Sequence, residues 1–78
     1  MTRNEDVIEA FLNRKVALCR GLRSDGSTLF SYEVPIAKHK KNEVWVRPTE
    51  GLSVSSVRHV ASFMRVVTRK NITLSTKE

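Results

Sequence analysis

Apolar and polar residues alternate through Ser27–Arg47, STLFSYEVPIAKHKKNEVWVR, with one polar break at Lys40-Lys41-Asn42-Glu43. Period-two alternation on both sides of a short polar tetrad predicts a β-hairpin with that tetrad as its tip. Thr28, Phe30, Tyr32, Val34 and Ile36 fall on one face of the first arm, read as a single extended segment. Pro35 cannot donate a ladder hydrogen bond, so it implies an edge position or a bulge between Glu33 and Pro35. The second arm is Val44-Trp45-Val46-Arg47, stopped by Pro48. With Lys41-Asn42 as a two-residue turn, Lys38 lies opposite Trp45 and Ile36 opposite Arg47. Ala37, His39, Val44 and Val46 take the other face.

The flanking segments carry other periods. Val7, Ile8, Phe11 and Leu12 make one apolar stripe of a short helix ending near Asn13. Thr2-Arg3-Asn4-Glu5 has capping-box spacing, Asn4 is the rival cap, and Glu5 and Asp6 suit the positive end of the helix dipole. Val16–Leu22 alternates as a first strand, and Ser24-Asp25-Gly26-Ser27 is the strongest turn signal in the chain. From a cap at Ser55, the spacing of Val57, Val60, Ala61, Met64 and Val67 predicts a second, longer helix ending at Asn71, with Phe63 at the margin of its core face. Arg58, Ser62, Arg65 and Arg69 share the opposite face. Residues 71–78 form a short edge strand or a frayed tail.

Composition narrows the class. A chain of 78 residues is one domain, 1–78, of a size that buries only about 60% of its unfolded surface. That leaves no room for a deep cleft. Cys19 is the only cysteine, so no internal disulfide forms and no Cys/His set assembles a structural zinc site. The N-terminal stretch carries acids among its apolar residues, which excludes a secretory signal and a membrane span and points to the cytoplasm. Fourteen Lys and Arg against eight Asp and Glu give a formal charge of +6. Nine of those bases lie from Lys38 onward, against three acids. Such a field attracts phosphate, anionic lipid or an acidic protein surface.

Asp25-Gly26, Leu29, Ser31-Tyr32, Ile36-Ala37, Trp45-Val46 and Ser53-Val54-Ser55-Ser56-Val57-Arg58-His59 together resemble a group of small uncharacterised bacteriophage and mobile-element proteins. Those proteins carry a DG turn, an SYG-x-x-IA strand and an SVTTSKH-like helix start in the same order. Glu33 departs from the glycine of that pattern. The resemblance covers about half the chain and implies a phage origin, a host-cell cytoplasmic location and a layout of helix, three strands and helix. It implies no catalytic activity.

The strongest candidate for chemistry is Lys38-His39-Lys40-Lys41 with Trp45 and Arg47. Clustered cations on a hairpin track phosphates, and an exposed indole stacks on a base. Arg58, Arg65 and Arg69 offer a second line of cations for a nucleic-acid backbone. The plainer alternatives are a solvated turn beside a core tryptophan and an ordinary amphipathic surface helix. His59 and Cys19 lack the oxyanion site and the third orienting group that a nucleophilic pair needs.

The expectation is therefore an α+β fold: a short N-terminal helix, a three-stranded antiparallel meander, and a longer C-terminal amphipathic helix packed on one sheet face. The expected function is non-enzymatic and cofactor-free, namely nucleic-acid backbone binding with little sequence specificity through Lys38, Lys40, Lys41, Trp45, Arg47, Arg58, Arg65 and Arg69. The alternative is an inhibitor or adaptor of an acidic host or phage protein. Its contacts would centre on Phe30, Tyr32 and Ile36, and an uncovered sheet face also admits a homodimer.

Overall fold

A computed structural model describes residues 3–40 and 43–75. Helix α1 spans Asn4–Leu12 and α2 spans Val54–Arg69. Between and after them run six strands: β1 (Val16–Cys19), β2 (Leu22–Asp25), β3 (Thr28–Ser31), β4 (Val34–His39), β5 (Val44–Val46) and β6 (Leu74–Ser75). They form one sheet in the order β1-β2-β3-β4-β5-β6. Every pairing is antiparallel except β5 with β6, which is parallel.

This mixed six-stranded sheet replaces the expected three-stranded meander. Two segments read as single strands are hairpins. Val16–Leu22 turns at Arg20-Gly21, where Arg20 has φ +52°, and Thr28–Ile36 turns at Tyr32-Glu33, where Tyr32 has φ +60°. Neither positive φ falls on glycine or asparagine, the residues that advertise such a turn. The expected turn at Asp25-Gly26 is present. Gly26 has φ +99°, and Asp25 Oδ1 accepts from the Ser27 and Thr28 amides at 2.9 and 2.8 Å. The irregularity implied by Pro35 lies in the β3–β4 ladder, where Leu29 faces Ala37 and Phe30 faces Pro35, leaving Ile36 as the extra residue.

Both helices cover one face of the sheet. Val7, Ile8 and Phe11 of α1 and Val60, Phe63, Val66 and Val67 of α2 meet Leu22, Leu29, Ile36, Ala37, Val44 and Val46 in one core. Phe11 is at its centre, 6.0 Å edge-on from Phe63 and stacked on the His39 imidazole at 4.4 Å. His39 Nε2 donates to the Phe11 carbonyl at 2.6 Å, tying β4 to the last turn of α1. Lys70–Glu9 at 2.8 Å and Arg69–Glu5 at 3.7 Å join the end of α2 to the acidic side of α1. Exposed pairs of this kind add at most about 1 kcal/mol each.

The helix ends differ from expectation in detail. Thr2 lies outside the described residues, and the reach-back at the start of α1 comes from Asp6, whose Oδ2 accepts from the Arg3 amide at 2.9 Å. Ser53, not Ser55, caps α2 by accepting from the Ser56 amide at 3.3 Å. The buried side of α2 is also rotated. Ser56, His59, Val60, Phe63, Val66 and Val67 face inward, while Val57, Ala61 and Met64 are exposed. Two polar residues on the buried side displaced the apolar periodicity. Among the described residues no helix is long and apolar enough to cross a membrane.

Candidate nucleic-acid interface

Alternation along a strand sends neighbouring side chains to opposite faces. Val44 and Val46 point into the core, so Trp45 between them points to the face that carries no helix. The β4–β5 register pairs Lys38 with Trp45, Ala37 with Val46 and His39 with Val44, as the hairpin pattern predicts. The Arg47 amide donates to the Ile36 carbonyl at 2.8 Å, continuing that register, although the bulge turns the Ile36 side chain into the core.

The helix-free face is built from cross-strand rows. One row runs Leu18, Arg23, Phe30, Pro35 and the next Thr28, Lys38, Trp45, Ser75. Among the described residues the first row holds no carboxylate, while the second continues past Thr28 to Asp25, whose carboxyl accepts from the Ser27 and Thr28 amides. Each row holds a cation over an aromatic ring: the Arg23 guanidinium lies 4.3 Å from the Phe30 centroid and Lys38 Nζ lies 5.1 Å from that of Trp45. Such stacking holds long side chains against the sheet. Arg47, two residues beyond Trp45, has its Nε buried without a hydrogen-bond partner.

Several candidate residues are placed differently. Trp45 is only 6% exposed, so its indole is a platform for Lys38 and not a free surface for a base. Lys40 lies past the end of β4, lining a groove of about 300 Å³ with Arg14, His39 and Glu43. Lys41 falls outside the described residues. Arg58 and Arg65 project from the exposed side of α2, across the core from the sheet's open face, and Arg69 is turned to Glu5. The apolar patch expected at Phe30, Tyr32 and Ile36 does not form, because Ile36 is in the core and Tyr32 is in a turn. Pattern reading missed Arg23, whose strand it did not separate from its neighbour.

The model of a family of unknown function, DUF8033, matches residues 2–78. The chain belongs to the DUF8033 family. No curated protein and no solved structure matches it, so any function for this DUF8033 chain rests on its own residues.

A second polar feature of the DUF8033 chain lies on the helix side. Ser31 Oγ is 2.9 Å from Ser56 Oγ and 2.6 Å from His59 Nδ1, and the Ser53 hydroxyl donates to Ser56 Oγ at 3.3 Å. One direction that satisfies the chain has Ser53 donating to Ser56, Ser56 to Ser31, and Ser31 to His59 Nδ1. The ring proton is then on Nε2. Burial pushes the His59 pKa below its ordinary 6.5, because the cation loses hydration there. The unfolded chain therefore takes up this proton first. The cost to folding is absent above 6.5, grows as the pH falls below it, and is complete once the pH is under the folded value. Urea midpoints should drop as the pH falls below 6.5 in the native chain and drop less in His59→Gln. Asp25 titrates separately. The Ser27 and Thr28 amides hold its carboxyl below the ordinary 3.8, so its contribution persists above 3.8 and is lost only as the pH falls through the lower folded value.

Proposed function

We propose that this protein is a non-enzymatic nucleic-acid-binding module that holds the phosphate backbone against the helix-free face of its sheet. The observation that carries the reading is the pair of adjacent cross-strand rows in which Arg23 and Lys38 lie over Phe30 and Trp45, with one carboxylate, Asp25, at their edge. An open antiparallel face of about a strand's length gives an extended polyanion a flat cationic track. Arg47, half-buried two residues beyond Trp45, adds a third cation on this side of the strand. With Trp45 covered, recognition falls to charge and to the partly exposed Phe30, and little base specificity is expected. The resemblance to phage proteins supports a site of action in the host cytoplasm.

A second reading, docking onto an acidic protein, draws on a different surface. Val54, Val57, Ala61 and Met64 are exposed at helical spacing on α2, flanked by Arg58 and Arg65. Amide chemical-shift mapping with a short single-stranded oligonucleotide separates the two. The nucleic-acid reading expects perturbations at Arg23, Phe30, Lys38 and Arg47. Shifts confined to the exposed side of α2, or none, would count against it.

A further inference from the structure

Four elements close around a small polar cavity on the other side of the molecule. The start of α1 contributes Asn4, the β1–β2 turn Arg20, the β3–β4 turn Tyr32, and one side of α2 Ser55, Arg58, His59 and Ser62. The cavity holds about 250 Å³, just under the range of about 300–1,000 Å³ usual for drug-sized ligands. None of its lining residues is acidic, and neither Arg20 nor Arg58 meets a carboxylate among the described residues. We propose that this cavity is a phosphate site, taking the terminal phosphate of a nucleotide or of a nucleic-acid strand with its base against Tyr32.

The local structure is arranged for that geometry at a cost. Tyr32 is held with φ +60°, a conformation unfavourable for a residue with a Cβ. Its ring lies across Gly21, where any side chain would collide with it, and its amide donates to the Gly21 carbonyl. The two turns are thereby locked together, with Tyr32 56% exposed at the mouth and its ring 5.8 Å from the His59 imidazole. Arg20 is likewise in a left-handed conformation, at φ +52°, which brings its turn to the cavity.

The chemistry fits a phosphate oxygen cluster. Two guanidinium groups give forked donors to anionic oxygens, and the Ser55 and Ser62 hydroxyls add neutral ones. His59 is held by Ser31 on its Nδ1 edge, which leaves Nε2 on the opposite edge to face a ligand. A row of exposed arginines alone would not discriminate among anions. A cavity with donors from four elements does.

Isothermal titration with inorganic phosphate, a 5′-mononucleotide, and an oligonucleotide with and without its 5′-phosphate tests the site. Native protein should bind phosphate and bind the nucleotide more tightly. Arg20→Asn, chosen because asparagine tolerates the left-handed turn, and Arg58→Gln should each weaken both by tenfold or more. Arg65→Gln, two turns along α2 and outside the cavity, should leave them unchanged. A gain from the 5′-phosphate on the oligonucleotide assigns the ligand to strand ends, and a gain limited to the mononucleotide assigns it to a small molecule. Amide shifts at Gly21, Tyr32 and Ser62 in the native protein give a readout that needs no variant. Absence of phosphate and nucleotide binding, or equal weakening by Arg65→Gln, would overturn the site. Neither result bears on oligonucleotide binding by the opposite face, so the two proposals fail separately.

Discussion

Phe11→Ala will lower the unfolding free energy by about 3–5 kcal/mol, the usual cost of truncating a buried phenylalanine to alanine. Phe11 has no exposed surface, and its ring, on α1, meets both the imidazole on β4 and Phe63 on α2. A chain of 78 residues has a total stability of about 4–12 kcal/mol, so this one change removes a large part of it. The cavity it leaves cannot be filled by collapse, because the His39 ring is fixed by its bond to the Phe11 carbonyl. Phe11→Leu keeps most of the volume and should cost less than about 1.5 kcal/mol. Urea unfolding followed by far-ultraviolet circular dichroism checks both. A shifted midpoint with an unchanged slope is expected, and a Phe11→Ala midpoint close to native would contradict the core assignment.

Much of this architecture is legible in the residue pattern, and the parts that are not have identifiable causes. The Lys38–Trp45 pairing follows from alternation around a polar tip, because a two-residue turn preserves the parity of the side chains. Asp25-Gly26 announces its own turn. Tyr32-Glu33 does not: the alternation of Thr28, Phe30, Tyr32, Val34 and Ile36 continues unbroken through it. Nothing local marks Tyr32 as left-handed, and its conformation is held by Gly21 in another hairpin. The same long-range control rotated α2. Ser56 and His59 are inward because Ser31 gives them partners, and an apolar period cannot register a hydroxyl that is satisfied only after folding. The two-residue β6 is too short to carry a period at all. The cavity at Arg20 and Arg58 was invisible for a related reason, since its residues are scattered over four elements with no shared motif.

Of the proposals about function, the sheet-face interface makes the larger quantitative claim. Log affinity for nucleic acid falls linearly with log salt, with a slope set by the number of phosphates neutralised. Arg23 on β2 and Lys38 on β4 flank β3, each over the aromatic ring opposite it in one of two adjacent cross-strand rows, so both charges bear on the same stretch of backbone. Removing a phosphate-contacting cation reduces the salt slope by about one. Reversing the charge adds repulsion to that loss. Arg23→Glu with Lys38→Glu should therefore flatten the slope by about two and weaken binding at low salt by at least about tenfold. Both side chains lie outside the core, so the fold should survive, and the urea midpoint checks that it does.

Fluorescence anisotropy of a labelled oligonucleotide, titrated with the native chain and with the Arg23→Glu, Lys38→Glu double variant across salt concentrations, decides the matter most directly. Tight binding by the native chain, and a weaker, flatter salt dependence for a variant that remains folded, is the expected result. Superimposable lines for the two proteins, or no binding by either at low salt, would mean that the open face of the sheet does not hold nucleic acid.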